Sequence, residues 1–155
     1  MRRLSGFVMA GAIFMLPAFA QNSFVQAAPQ AATPKFTMDG DLALWNVAIR
    51  PDKTADYEQV LAKVKEALGK SEAPEAKRQL AGWKVVKYMK PMPDGNIIYT
   101  HVITPVPGAD YNILQVIYAT VKDPTEQKAL YDLYRGAFAA SLSLTQGTIV
   151  AALSK

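Results

Sequence analysis

The spacing of apolar residues along the chain alternates between a period of two, typical of strands, and a period near 3.6, typical of helices. The run from Leu42 to Arg50 is short, mostly apolar and bounded by turn residues, and it predicts a first strand. Its two sides are the odd positions Ala43, Trp45, Val47 and Ile49 and the even positions Leu44, Asn46, Ala48 and Arg50. We expect the odd positions to face the helices.

Helical periodicity follows this strand. A helix is predicted from Thr54 to Leu68 by the apolar stripe Tyr57, Val60, Leu61, Val64 and Leu68. Residues 74–82 predict a short second helical segment, because Pro74 fits a first helical position and Gly82 a stop. Residues 111–121 predict a third helix, and Asp123 with Pro124 predicts the start of a fourth, whose apolar stripe ends at Phe138.

Two further strand patterns, residues 83–90 and 96–104, are joined by a segment containing Asp94-Gly95, which predicts a hairpin. Lysines along a strand discourage pairing with another chain, so Lys84, Lys87 and Lys90 place the first of these strands at a sheet edge. A last strand is predicted over residues 148–153, after Gly147.

The order strand, helix, strand, strand, helix, strand predicts an α+β fold with the ferredoxin-like βαββαβ order. We expect a four-stranded antiparallel sheet with the helices on one face and extra short helices beside it. The whole pattern fits a single domain over residues 36–155.

The N-terminus predicts a secretory signal peptide over residues 1–20. Arg2 and Arg3 precede the apolar run 7–16, and Ala18-Phe19-Ala20 fits a small-x-small cleavage site, so cleavage is predicted after Ala20. The alternative, a retained anchor, is disfavoured because the run is shorter than the roughly 20 residues that cross a bilayer. We therefore expect a secreted or periplasmic protein without stable membrane insertion, preceded by a flexible lead-in over residues 21–35 that is rich in Ala, Gln and Pro.

Composition excludes several classes of function. Removing Arg2 and Arg3 leaves 15 basic against 13 acidic residues, a net charge of about +2, which gives no basis for a nucleic-acid partner. Thiol chemistry is excluded because the chain has no cysteine, and one histidine without cysteine cannot form the usual transition-metal site. The sequence has no phosphate-binding glycine loop and no serine-nucleophile motif. We expect no metal and no cofactor.

The face of the sheet that the helices leave open is predicted to be partly apolar. On the third strand one side carries Ile98, Thr100, Val102 and Thr104, and the other carries Ile97, Tyr99, His101 and Ile103. Whichever side faces out, apolar or aromatic side chains lie on it, and monomers rarely leave such a patch in water. We expect a homodimer, or a small, partly apolar ligand, to cover this face.

The element order and the mixed second face resemble the dimeric α+β barrels, a superfamily that includes antibiotic-biosynthesis monooxygenases and heme-degrading proteins. The resemblance implies that two sheets from two subunits face each other. It also implies a ligand cavity between the sheets or between sheet and helices. Some cofactor-free members use an asparagine, a tryptophan and a histidine there; Asn46 and His101 are of the right type, and both tryptophans, Trp45 and Trp83, lie on predicted strands.

His101 is the only histidine, and Tyr99 lies two residues away on the same side of its strand. If the first and third strands are neighbours, Asn46 and Arg50 lie across the sheet from them. These four residues form the predicted ligand-binding site, with His101 as the candidate catalytic residue. Alternatively, Tyr99 and His101 pack at a dimer interface, and Arg50 either holds a ligand carboxylate or is a solvated strand end.

Three functions stay open from the residues alone. The first is a homodimer that binds a small, partly apolar ligand or acts through its interface. The second is a cofactor-independent monooxygenase or isomerase in which Asn46, Tyr99 and His101 polarise the substrate and move a proton. The third is a structural envelope protein without a pocket.

Overall fold

The computed structural model describes residues 34–153. The predicted signal peptide and nearly all of the predicted lead-in lie outside these residues. The described elements, in chain order, are the strand β1 (Leu42–Ile49), a 3₁₀ turn (Pro51–Lys53), the helices α1 (Thr54–Lys70) and α2 (Ala76–Gly82), the strands β2 (Trp83–Lys87) and β3 (Ile97–Ile103), the helices α3 (Ile113–Thr120) and α4 (Pro124–Ala137), and the strand β4 (Phe138–Gly147).

The strands form one four-stranded antiparallel sheet in the order β2-β3-β1-β4. The predicted α+β class and antiparallel sheet are therefore confirmed, as is the placement of the lysine-bearing strand β2 at an edge. The turn between β2 and β3 contains Gly95 at a φ of 85°, a conformation that glycine adopts without strain. Its amide donates to the Met92 carbonyl at 2.9 Å, which closes the turn.

The predicted last strand is wrong. Residues 148–153 form no strand, and β4 instead begins at Phe138, where α4 ends. The alternation of Ser141, Leu142, Ser143 and Leu144 has the strand period, but Ala139 and Ala140 before it hide the change from helix to strand. Pairing with β1 is what selects the extended conformation here.

The core lies between the sheet and the helices. The odd positions of β1 all join it, so the predicted sidedness of this strand is confirmed. Side chains of α1 pack against them, and α1 also contacts α3 and α4. The principal buried members are Ala43, Trp45, Val47, Ile49, Tyr57, Val60, Val64, Leu68, Tyr99, Ile103, Tyr111, Ile113 and Ile117.

The start of β1 and the end of β4 approach closely. The Asp41 amide donates to the Gly147 carbonyl at 2.9 Å, and Gly40 before it has a φ of 81°. A Cβ atom at position 40 would lie 2.6 Å from the Gly147 oxygen. Gly40 is therefore required both for its backbone conformation and for the space it leaves.

No helix within residues 34–153 combines the length and the apolar character needed to cross a membrane.

Candidate functional site

His101 lies on β3, on the face of the sheet that packs against the helices. Its neighbours on the adjoining strands are Trp45 of β1 and Val85 of β2. The side chain is completely buried, at 0% exposure. Both ring nitrogens have partners: Nδ1 lies 2.9 Å from the Trp83 indole nitrogen, and Nε2 lies 2.7 Å from the Tyr57 hydroxyl.

The chemistry of these partners determines the tautomer of the imidazole. An indole N–H can only donate, so Nδ1 of His101 accepts from Trp83. The proton of the neutral ring is then on Nε2, which donates to the Tyr57 oxygen. Burial lowers the pKa of His101 to about 4, and a proton on Nδ1 would also point at the Trp83 N–H. His101 is thus a neutral imidazole with both nitrogens engaged.

Aromatic rings surround this histidine. The Trp45 ring is tilted over it at a centroid distance of 4.7 Å, and the Trp83 ring lies at 5.8 Å. On the helix side, Tyr57 contacts Tyr99 and Tyr134 at centroid distances of 5.1 and 6.3 Å. Desolvation raises the pKa of Tyr57 well above its ordinary value, and it raises the pKa of Tyr134 to about 12.

Tyr99 connects this cluster to the surface. Its hydroxyl donates to Glu58 Oε1 at 2.6 Å, and Lys87 Nζ lies 2.8 Å from the same oxygen. Both hydrogen bonds lower the pKa of the Glu58 carboxyl, and the one from Lys87 has the larger effect. The lysine and glutamate side chains are about half exposed, so the ion pair contributes little to stability.

The structure does not bring the four predicted site residues together. Tyr99 and His101 face the helices, whereas Asn46 lies on the open face of the sheet, where it accepts from Thr100 and donates to Ser143 at 3.0 Å. Arg50 is at the exposed end of β1, and its guanidinium donates to the Gly136 carbonyl at 2.9 Å. This arginine gives a hydrogen-bond partner to a carbonyl at the C-terminal end of α4, and its positive charge interacts favourably with the negative end of the helix dipole.

A groove of about 330 Å³ lies on the helix side of the sheet, between α1, α2 and β2. Trp83 lines it, so the same indole whose N–H holds His101 also forms a wall of the groove. Lys65 is the single charged residue among those that line it. The full lining is Leu61, Val64, Lys65, Leu68, Leu80, Trp83 and Val85.

Sequence reasoning did not find Tyr57 or Trp83 as partners of His101, although it named both residues. Tyr57 is 44 positions away in the chain, and its spacing predicts only a place on the apolar stripe of α1. The available signal was chemical: a buried tyrosine or tryptophan needs a partner for its polar atom, and so does a buried histidine.

Within residues 34–153 no three carboxylate or imidazole side chains gather in a way that would hold a metal ion. Comparisons of the chain with protein-family models, with curated proteins and with solved structures find no match.

Proposed function

We propose that this protein binds a small, partly apolar ligand in the groove between α1, α2 and β2. The observation that carries the proposal is the groove itself, which has a volume of about 330 Å³ and is lined by aliphatic side chains and one indole ring. Small-molecule sites are usually apolar concavities of roughly 300 to 1,000 Å³ with few polar groups. The groove also favours a binding function over that of an envelope protein without a pocket.

His101 supports the binding function from beneath the groove. Because it accepts from Trp83 Nε1, it fixes the orientation of the indole ring that a ligand would contact. A wall held in place before binding loses little conformational entropy when the ligand arrives. In this proposal His101 is a positioning residue for Trp83.

The alternative, a cofactor-independent monooxygenase or isomerase, has less support in this geometry. A general base needs a nitrogen within reach of the substrate proton. Both nitrogens of His101 are engaged by other side chains, and Asn46 lies on the other face of the sheet. Binding is the function that these contacts support best.

We also propose the ferredoxin-like arrangement, a homodimer, and a secreted or periplasmic location. The sheet order β2-β3-β1-β4 with α1 between β1 and β2 and α4 before β4 supports the first. The location is supported by the predicted signal peptide. Intact-mass measurement on protein recovered from the producing cell tests it: a mass matching a chain that begins at Gln21 is expected, and a mass that retains residues 1–20 would contradict it.

Ligand binding is tested with native mass spectrometry for a co-purified apolar molecule, followed by titration with the fluorescent probe 8-anilinonaphthalene-1-sulfonate. Val85→Trp fills the groove and should weaken probe binding at least tenfold. Val86→Trp is the matched control, because its side chain lies on the opposite side of the same strand and is 49% exposed. If Val85→Trp binds the probe as the wild type does, or if the wild type binds nothing, the groove is not the site.

A further inference from the structure

A second concavity lies on the helix side of the sheet, formed by residues of β1, α3 and α4 and of the segment before β1. Its volume is about 330 Å³, and among residues 34–153 none lines both it and the groove beside α2. Half of its lining is aromatic, so we call it the aromatic cavity. The four aromatic residues are Phe36, Trp45, Tyr131 and Tyr134.

The aromatic walls are held in place by contacts outside the aromatic cavity. The indole N–H of Trp45 donates to Ser141 at 3.1 Å, and the ring of Phe36 meets the indole edge-on at a centroid distance of 5.4 Å. Tyr134 packs against Tyr57 at 6.3 Å. Walls that are fixed before binding lose little conformational entropy when a ligand arrives. Their ring faces and edges favour a ligand that is itself aromatic.

Two polar groups of the lining can donate hydrogen bonds and have no acceptor within residues 34–153. Asn112 Oδ1 accepts from the amides of Leu114 and Gln115 at 3.1 and 3.2 Å, which leaves its Nδ2 group to donate elsewhere. Desolvation raises the pKa of Tyr134 to about 12, so its hydroxyl keeps its proton. In this part of the chain no side-chain nitrogen or oxygen is both buried and without a partner. The Tyr134 hydroxyl therefore reaches open space, and the aromatic cavity is the space that Tyr134 lines.

Arg135 supplies the charge. It is the one charged residue among the described residues that line the aromatic cavity, and it follows Tyr131 and Tyr134 on the same face of α4. Within residues 34–153 it forms no ion pair, whereas Lys128 on the same helix pairs with Asp132. The positive charge of Arg135 also opposes the rise in the pKa of Tyr134, which places the guanidinium close to that hydroxyl. A guanidinium fork matches the two oxygens of a carboxylate.

We propose that the aromatic cavity is a second binding site and that its ligand is a small aromatic carboxylate. The ring of the ligand lies against the aromatic walls, and its carboxylate accepts from Arg135 and from the neighbouring donors. A cationic ligand would meet the charge of Arg135 with no carboxylate in the lining to offset it. A purely aliphatic ligand would leave these donors without acceptors. This site goes beyond the proposed function and does not depend on the groove.

Isothermal titration calorimetry with 1-naphthoate tests the carboxylate contact. Arg135→Gln should weaken binding roughly tenfold, the size expected for losing a hydrogen bond between charged groups. The neutral isostere 1-naphthamide should bind this variant and the wild type equally. Arg78→Gln is the matched control and should bind 1-naphthoate as the wild type does, because Arg78 is an exposed arginine of α2 that lines neither concavity.

Two filling variants locate the site. Leu114→Trp fills the aromatic cavity and should weaken the binding of both naphthalene ligands, whereas Val85→Trp fills the groove and should leave both unchanged. A thermal melt of each variant checks that it folds. Arg135 is exposed, so its replacement removes no core contact and keeps the test valid if Leu114→Trp does not fold.

The outcomes separate this inference from the proposed function. If the wild type does not bind 1-naphthoate, or if Arg135→Gln binds it as the wild type does, the inference is overturned. An equal loss of naphthoate and naphthamide in Arg135→Gln would overturn the carboxylate contact. If Val85→Trp is the variant that weakens naphthoate binding, the ligand lies in the groove, so the proposed function stands and this inference fails.

Discussion

Acid is expected to destabilise this protein through one side chain. His101 is the only histidine in the chain, and burial lowers its pKa from 6.5 to about 4 in the folded state. Between these two values the unfolded chain binds a proton that the folded protein does not bind. The stability contributed by the neutral imidazole is therefore complete above about pH 6.5 and is lost as the pH falls towards 4.

The size of the effect follows from the difference between the two pKa values. At ~1.4 kcal/mol per pKa unit, the full loss is about 3 kcal/mol. Between pH 7 and pH 5 the same linkage relation gives about 2 kcal/mol. Glu58, whose pKa is lowered by Lys87 and Tyr99, loses its contribution only as its carboxyl becomes protonated, which occurs below this interval.

Urea unfolding at several pH values between 5 and 7 measures this dependence. The control is His101→Gln, which removes the imidazole while keeping a polar amide. Its free energy of unfolding should be lower than that of the wild type at pH 7 and nearly constant across the interval. If the wild type is equally stable at pH 5 and pH 7, or if the variant has the same slope, the account of a buried neutral histidine is refuted.

Two further predictions concern other positions. Trp83→Phe keeps a ring beside the groove but removes the N–H that donates a hydrogen bond to Nδ1 of His101. It should lower the free energy of unfolding by about 1 to 2 kcal/mol and raise the pKa of His101. An NMR titration that gives the wild-type pKa would contradict this. Gly40→Ala should lower the free energy of unfolding by about 1 to 3 kcal/mol, because residue 40 has a positive φ and lies close to the Gly147 backbone. Gly69→Ala is the control: it lies in α1 with open space around it, so its stability should be unchanged or slightly higher. Equal melting temperatures for these two variants would argue against the close approach.

Local pattern was sufficient for much of the fold. The alternation in β1 predicted which side chains face the core, and the lysines of β2 predicted an edge. The position of β4 could not be read in the same way, because the apolar stripe of α4 runs into Phe138 and two alanines follow. What decides the conformation there is hydrogen bonding to β1, about a hundred residues earlier in the chain, which no local window contains.

The candidate site was less predictable than the fold, because it depends on the register between strands. Trp45, rather than Asn46, lies opposite His101, and a shift of one residue would have exchanged the faces. The sequence therefore indicated residue types suited to a site but not their neighbours. The bond between His101 and Tyr57 likewise depends on how α1 crosses the sheet.

The sheet order makes folding of this protein dependent on distant strands, since β1 is the one strand within residues 34–153 with which β4 pairs. Closing so long a loop is slow compared with forming the local β2-β3 hairpin. The two tryptophans lie at different points of the sheet: Trp83 is the first residue of the hairpin strand β2, while the indole N–H of Trp45 donates to Ser141 of β4 at 3.1 Å. In refolding kinetics the fluorescence of Trp45 should thus reach its native value later than that of Trp83. The Trp45 signal then reports when β4 has paired with β1 and the sheet is complete.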